Sequence, residues 1–281
     1  EAFTNLSTPR IFQTLALKAK YYYGEDEKER SDEALEEASD MAQTLTAEQM
    51  QLLTARDREA MLTLLLGYQD RAEEPDVALK RAQVVIDSAK KLDKADLVDK
   101  RILANSAAQS IALFNLKFPP IRLEPPHRVL RDRLAADAES LGTGALKVAD
   151  DSDSVAPILV YWNTARTLMT RNQLDEALKV LNDGLAAAEK MGDAAGSQEL
   201  DLHLLAARVL IMQRDFTKAH EHLDKLMGNE RFAGWGHLLK GSVALHEGRL
   251  QTAHQQFLQA RQSLGDKILV RMSLAHTHMA L

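Results

Sequence analysis

One short pattern returns at a fixed spacing between residues 161 and 281, and it constrains the fold more than any other feature of the chain. A small residue recurs at Ala165, Ala207, Gly241 and Ala275, at intervals of 42, 34 and 34. A second recurs at Ala177, Ala219 and Ala253 with the same first two intervals. Three residues before each member of the second series stands an apolar residue (Leu174, Phe216, Leu250), and four after it another (Leu181, Leu223, Phe257). Two registers in step define a unit of two amphipathic helices joined by a tight turn at Asn172, Arg214 or Gly248. Such a unit cannot bury its apolar face alone, so it stacks on its neighbours. The small residues mark where helix axes cross at about 8 to 10 Å, and the flanking Leu or Phe fills the space beside the crossing.

The rest of the chain reads as a worn version of the same design. Only 5% of the residues are aromatic and 45% are hydrophobic, too apolar for disorder and poor in residues that favour strands. Pro9 opens a helix, with Thr8 as its N-cap, that carries Ile11, Phe12 and Leu15 to Gly24 and ends in Tyr21, Tyr22 and Tyr23. A second helix is expected over 31–43. Thr46 and Gln49 spell a capping box that opens a third, expected to run through Met61 and Leu64 to Gly67. Pro75 starts a helix to Leu92, and another covers 94–116. The sharpest break is 118–126, where Pro119-Pro120 and Pro125-Pro126 cannot continue a helix. A helix over 127–141, closed by Gly142 in a left-handed cap, then leads into the repeats. These breaks divide the chain into degenerate helical repeats over 1–117, a proline-rich connector over 118–126 and clear repeats over 127–281.

The net charge of −6 is uneven, because nine acidic residues and two basic ones lie between Gly24 and Asp40. Beyond residue 200 ten basic residues face seven acidic ones, too mild a gradient for a nucleic-acid surface. No apolar run reaches the length of a membrane span. The chain reads as soluble, with the cytoplasm as the favoured compartment, and as a piece of a longer protein.

Catalytic signatures are missing from the sequence. With no Cys there is no thiolate nucleophile or thiolate metal site, and neither a phosphate-binding loop nor a HExxH zinc helix occurs. Gly142-Thr143-Gly144 lacks the third glycine and the preceding strand of a dinucleotide fingerprint. The acidic stretch Asp150, Asp151 and Asp153 lacks calcium-loop spacing, which leaves Ser154 as a helix cap. Eight of the nine His lie beyond residue 200. His220 and His222, like His276 and His278, are two residues apart and point to different helix faces, whereas His246 and His254 are placed to meet across a turn. A histidine-rich tail is also a candidate sensor of mild acid. The expectation is a protein with no enzymatic activity, no cofactor and no metal.

The repeat resembles the tetratricopeptide repeat family, a helix-turn-helix unit of about 34 residues. Ala206-Ala207, Leu274-Ala275, the turn Gly248-Arg249-Leu250 and Leu250-Gln251-Thr252-Ala253 carry the resemblance. Lys240 departs from the usual Leu, Asn172 and Arg214 from the usual turn glycine, and the proline that closes each repeat is missing. The resemblance implies an all-α, right-handed superhelix whose concave groove binds peptides. It places Trp162, Arg166 and Met169, then Leu204, Arg208 and Ile211, on the first helices of successive repeats. Leu238, Ser242 and Leu245, then Met272, His276 and Met279, follow on the next two. Arg166 and Arg208 would then present two guanidiniums to one acidic side chain or C-terminal carboxylate. Three functional readings follow: a protein-interaction module, a sensor segment of a larger enzyme or transcription regulator, and a scaffold whose last helix pairs with a second copy.

Overall fold

A computed structural model of the chain describes residues 9–91, 97–118, 123–151 and 158–280. Fourteen α-helices, one 3-10 turn and no strand occur among them, so the fold is all-α. They gather into two compact units, 1–171 and 172–281.

The first unit holds α1 (Pro9–Gly24), α2 (Lys28–Thr44), α3 (Ala47–Gln51), α4 (Ala55–Asp70), α5 (Pro75–Lys90), α6 (Leu97–Lys117), α7 (Pro125–Asp151) and α8 (Ile158–Thr170). Alternate helices touch in two layers: α1, α4, α6 and α8 in one, and α2, α5 and α7 in the other. Phe12, Met50, Met61, Leu62 and Leu65 fill its core near α1 to α4, and Leu79, Ile86, Phe114 and Leu134 near α5 to α7. Polar ties run within each layer. Gln69 donates to the Ser110 carbonyl at 2.8 Å and the Ser110 hydroxyl donates back to Gln69 Oε1 at 2.6 Å, which satisfies a buried pair across α4 and α6. The Lys91 ammonium donates to the carbonyls of Ala42, Gln43 and Leu45 at the exposed end of α2, where the helix dipole is negative.

Several expectations change here. The Thr46 capping box is present, but its helix ends at Gln51, because Thr54 caps α4 afresh with its hydroxyl accepting from the Asp57 amide. Gly67 does not stop α4, which runs on to Asp70. Gly142 is buried inside α7 rather than in a left-handed cap, and a Cβ there would collide with the Thr164 hydroxyl of α8. Glycine is therefore required at 142 for close helix approach, not for a turn. The prolines at 118–126 separate α6 from α7, which pack against each other within one unit. Thr8, the core of the connector at 119–122 and Ser154 lie outside the described residues.

The second unit holds α9 (Leu174–Met191), α10 (Ser197–Met212), α11 (Phe216–Met227), α12 (Glu230–His246), α13 (Leu250–Leu264) and α14 (Ile268–Ala280). Each helix packs on the next, and α12 also touches α10 and α14. Ala207, Ala219, Leu223, Ala253 and Phe257 are all buried to at least 99%, so both registers point into the core as their spacing requires. The last small residue, Ala275, is instead exposed.

The turns confirm the repeat in backbone geometry. Asn172, Arg214 and Gly248 have φ of 60°, 62° and 74°. After α10 the Asp215 amide donates to the Leu210 carbonyl and the Arg214 amide to Ile211, and after α12 the Arg249 and Gly248 amides repeat those bonds to Ala244 and Leu245. Both ends are Schellman caps whose left-handed residue is ordinarily glycine. A side chain in that region costs about 1 to 2 kcal/mol, partly offset by the extra unfolded-state entropy of glycine. Arg214→Gly is therefore expected to stabilise the protein by about 0.5 to 1 kcal/mol in urea denaturation, and destabilisation would show that the Arg214 side chain contributes more than its strain.

Candidate binding face of the second unit

The residues expected in one groove divide between the two units, and the structure gives each set a different character. In the first unit the Arg166 guanidinium lies 4.3 Å from the centre of the Trp162 ring, one turn earlier on α8, a cation–π contact that occupies the arginine locally. Trp162, Arg166 and Met169 are each partly exposed.

In the second unit the expected residues separate into core and surface. Ile211 and Leu238 are only 9% and 6% exposed. Ile211 packs with Leu223 and Phe232, and Leu238 shares a core with Phe257, Val270 and Leu274. The helices close on one another at these positions. Leu204 and Leu245 are half-buried at the edges of the same two clusters. Ser242 is half-buried, and its hydroxyl donates to the Leu238 carbonyl at 3.1 Å. Met272, His276 and Met279 are exposed on α14.

Arg208 stands apart. One side of its chain is open to solvent, yet desolvation by the surrounding protein holds its guanidinium below the ordinary arginine pKa. It lies between Leu204, one turn before, and Ile211, one turn after. Among the described residues it has no hydrogen-bond acceptor, carboxylate or ring as partner. A cation in that position has lost part of its hydration without gaining an anion, and an incoming carboxylate would restore the balance.

Arg81 and Lys91, which line a cleft of the first unit, are already engaged. A cleft of about 680 Å³ in the first unit is lined by Asp40, Tyr68, Arg81, Asp87 and Lys91 among others. Its Arg81 stacks 3.5 Å from the Tyr68 ring centre, and its Lys91 caps α2. The tyrosines that end α1 are likewise engaged locally, with Arg30 over Tyr22 at 5.2 Å and Arg71 over Tyr23 at 5.5 Å.

Sequence reading missed one pairing altogether. His203 of α10 and His222 of α11 approach with their Nδ1 atoms 2.8 Å apart, one ring donating and the other accepting. The next repeat has His237 and Gln256 at 2.9 Å in the same relation. Both pairs span 19 residues and are offset by 34, so the repeat interval held the signal. His246 and His254 do not meet: His246 stacks on Phe216 and His254 contacts the His278 ring. No group of three or more His, Asp or Glu suited to a metal ion occurs among the described residues. No described helix is long and apolar enough to cross a membrane.

Stacked helix pairs, glycine-type turns and alternating small and large crossing residues define a tetratricopeptide-like helical-repeat protein. No family model matches the chain, and no curated protein sequence matches it. Among solved structures, it is similar to the apo form of RapI, with a TM-score of 0.54 and 10% identity over 96% of this chain and 71% of that one. A tetratricopeptide repeat protein from Parabacteroides merdae aligns over 96% of this chain and 99% of its own, at 15% identity and a TM-score of 0.41.

Proposed function

We propose that the protein is a non-catalytic interaction module and that its second unit takes a partner segment carrying an acidic group, with Arg208 as the receiving cation. The observation that carries this reading is the partly desolvated Arg208 guanidinium, solvent-accessible and without a partner among the described residues. Leu204 supplies apolar surface one turn before it, and the repeat register assigns Ser242 and Leu245 of α12 and Met272 and His276 of α14 to the same binding face. An apolar surface with few polar groups suits a peptide segment, since apolar contact gives affinity and the single charge gives direction. Arg166 plays the smaller part, because its charge already rests on Trp162.

The test is selection of a displayed random dodecapeptide library on the wild-type protein and on Arg208→Glu, with circular dichroism to check that both fold alike. Wild type is expected to enrich sequences with an Asp, a Glu or a free C-terminal carboxylate beside apolar residues, and Arg208→Glu to lose them. Enrichment without acidic bias, or the same peptides from both proteins, would overturn the assignment.

A further inference from the structure

The cleft of the first unit mixes polar and apolar side chains, and the reading of Arg208 makes no use of it. It follows α5 from Val77 to Lys91, about 20 Å of helix, and Ser39, Asp40 and Gln43 of α2, Tyr68 of α4 and Leu130 of α7 complete its walls. Its volume of about 680 Å³ lies within the range of small-molecule sites. Two hydroxyls lie deep in it. Ser88 is 2% exposed and Ser39 4%, so both belong to the interior. Ser88 nevertheless makes no hydrogen bond among the described residues, and the Ser39 hydroxyl accepts only a long one, 3.4 Å, from the Gln43 amide. A buried hydroxyl without a partner costs stability, and on the wall of a cleft it is open to a ligand that supplies the bond.

The charges of the cleft favour a neutral ligand. Asp40 and Asp87 face Lys80, Arg81 and Lys91 on its walls, while at the rim Glu36 lies near Tyr68 and Arg133 donates to Gln83 at 3.3 Å. Neither sign prevails by more than one charge. Two of the cations are also spent, Arg81 on the Tyr68 ring and carbonyl and Lys91 on the carbonyls of Ala42, Gln43 and Leu45. An anion would meet Asp40 and Asp87, and an amine would meet the three basic residues. What stays open is a mixture of donors and acceptors: the Asp40 carboxylate, the Lys80 ammonium, the Ser88 hydroxyl and the Asp87 oxygen that Gln83 does not bond. Ligand hydroxyls serve both kinds, because each donates one hydrogen bond and accepts others. We infer that the cleft binds a neutral oligosaccharide, with its hydroxyls on Asp40, Lys80, Asp87 and Ser88 and the C–H faces of its rings on Val77, Val84 and Leu130. The length of the cleft suits a short chain of sugar rings better than a single ring.

The probes are maltotetraose, cellotetraose, mannotetraose and N-acetylchitotetraose, with spermidine and inorganic phosphate as charged alternatives. Saturation-transfer NMR with the full 281-residue protein is expected to show at least one tetrasaccharide binding with a Kd of about 1 mM or tighter, and more tightly than either charged probe. Asp40→Ala, a change at an exposed site, weakens that binding about tenfold or more. Ser88→Ala weakens it about threefold or more without lowering the urea midpoint, because the hydroxyl bonds nothing within the described protein. A serine with a purely structural role would give the opposite pattern. Binding of none of the four sugars, tighter binding of spermidine or phosphate, or binding unchanged in either variant would overturn the proposal. Arg208→Glu leaves sugar binding unchanged, which separates the cleft from the Arg208 site.

Discussion

Gly241→Ala destabilises the protein by about 1 to 3 kcal/mol, although alanine is the better helix former by about 1 kcal/mol. The reason is that a methyl group at 241 falls between 2.5 and 3.0 Å from three carbons of the Phe257 ring. That ring is 1% exposed and fixed by its neighbours, so it has nowhere to retreat. Phe257→Leu alone leaves a gap and costs about 1 to 2 kcal/mol. The repeat supplies the remedy, since the same two positions hold Ala207 with Leu223 one unit earlier and Ala165 with Leu181 before that. Gly241→Ala with Phe257→Leu is therefore expected to recover part of the sum of the two losses, a coupling of about 1 to 2 kcal/mol in a double-mutant cycle followed by urea denaturation. Strict additivity would mean that the small and large registers do not meet at this crossing.

Acid weakens the fold through the His203 and His222 pair. Desolvation, then the neighbouring His222 and Lys225, lowers the His203 pKa to about 4, and desolvation lowers His222 as well. Glu199, 3.7 Å from His203 Nε2, and Glu221 beside His222 oppose the shift without cancelling it. The sign follows from proton counting: between about pH 6.5 and pH 4 the unfolded chain binds a proton at residue 203 that the folded chain does not. Stability contributed by this residue is complete above about pH 6.5 and falls as the pH drops toward 4, by about 3 kcal/mol at most for a side chain 12% exposed. Once both rings carry protons, two donors face each other and the shared hydrogen bond is gone. Denaturation midpoints measured from pH 7 to pH 4 should fall steeply for wild type and less steeply for His203→Gln, because Gln bonds an imidazole across the same helix pair at Gln256 and does not titrate. Parallel profiles for the two proteins would remove His203 as the cause.

What the sequence disclosed was what repeats and acts locally. Asn172, Arg214 and Gly248 are recognisable as one turn position because their places in the two registers agree, and all three adopt left-handed backbone. Ala207, Leu223 and Phe257 are core for the same reason. The failures come from contacts between distant elements. Gly142 spells a helix stop, yet the approach of Thr164 makes it a crossing point within a longer helix. Thr54 divides one expected helix into two, because a short side chain that accepts from the Asp57 amide competes with continuation of the preceding turn. Within the expected groove, family register alone does not distinguish Leu204 and Arg208, which remain at least partly accessible, from Ile211 and Leu238, which the adjoining helices cover. His203 and His222 escaped notice because each was read against its near neighbours and not against the residue 19 positions away.

The central claim is that Arg208 receives an acidic group, and equilibrium binding of one selected acidic peptide to wild type, Arg208→Lys and Arg208→Ala tests it most directly. A hydrogen bond between charged partners contributes about 1.5 to 3 kcal/mol, so Arg208→Ala is expected to weaken binding by about 10- to 150-fold. Arg208→Lys retains the charge but not the planar fork and should fall between the two. Equal affinity for all three proteins, in a peptide whose acidic residue is itself required, would place the anion elsewhere and contradict the account.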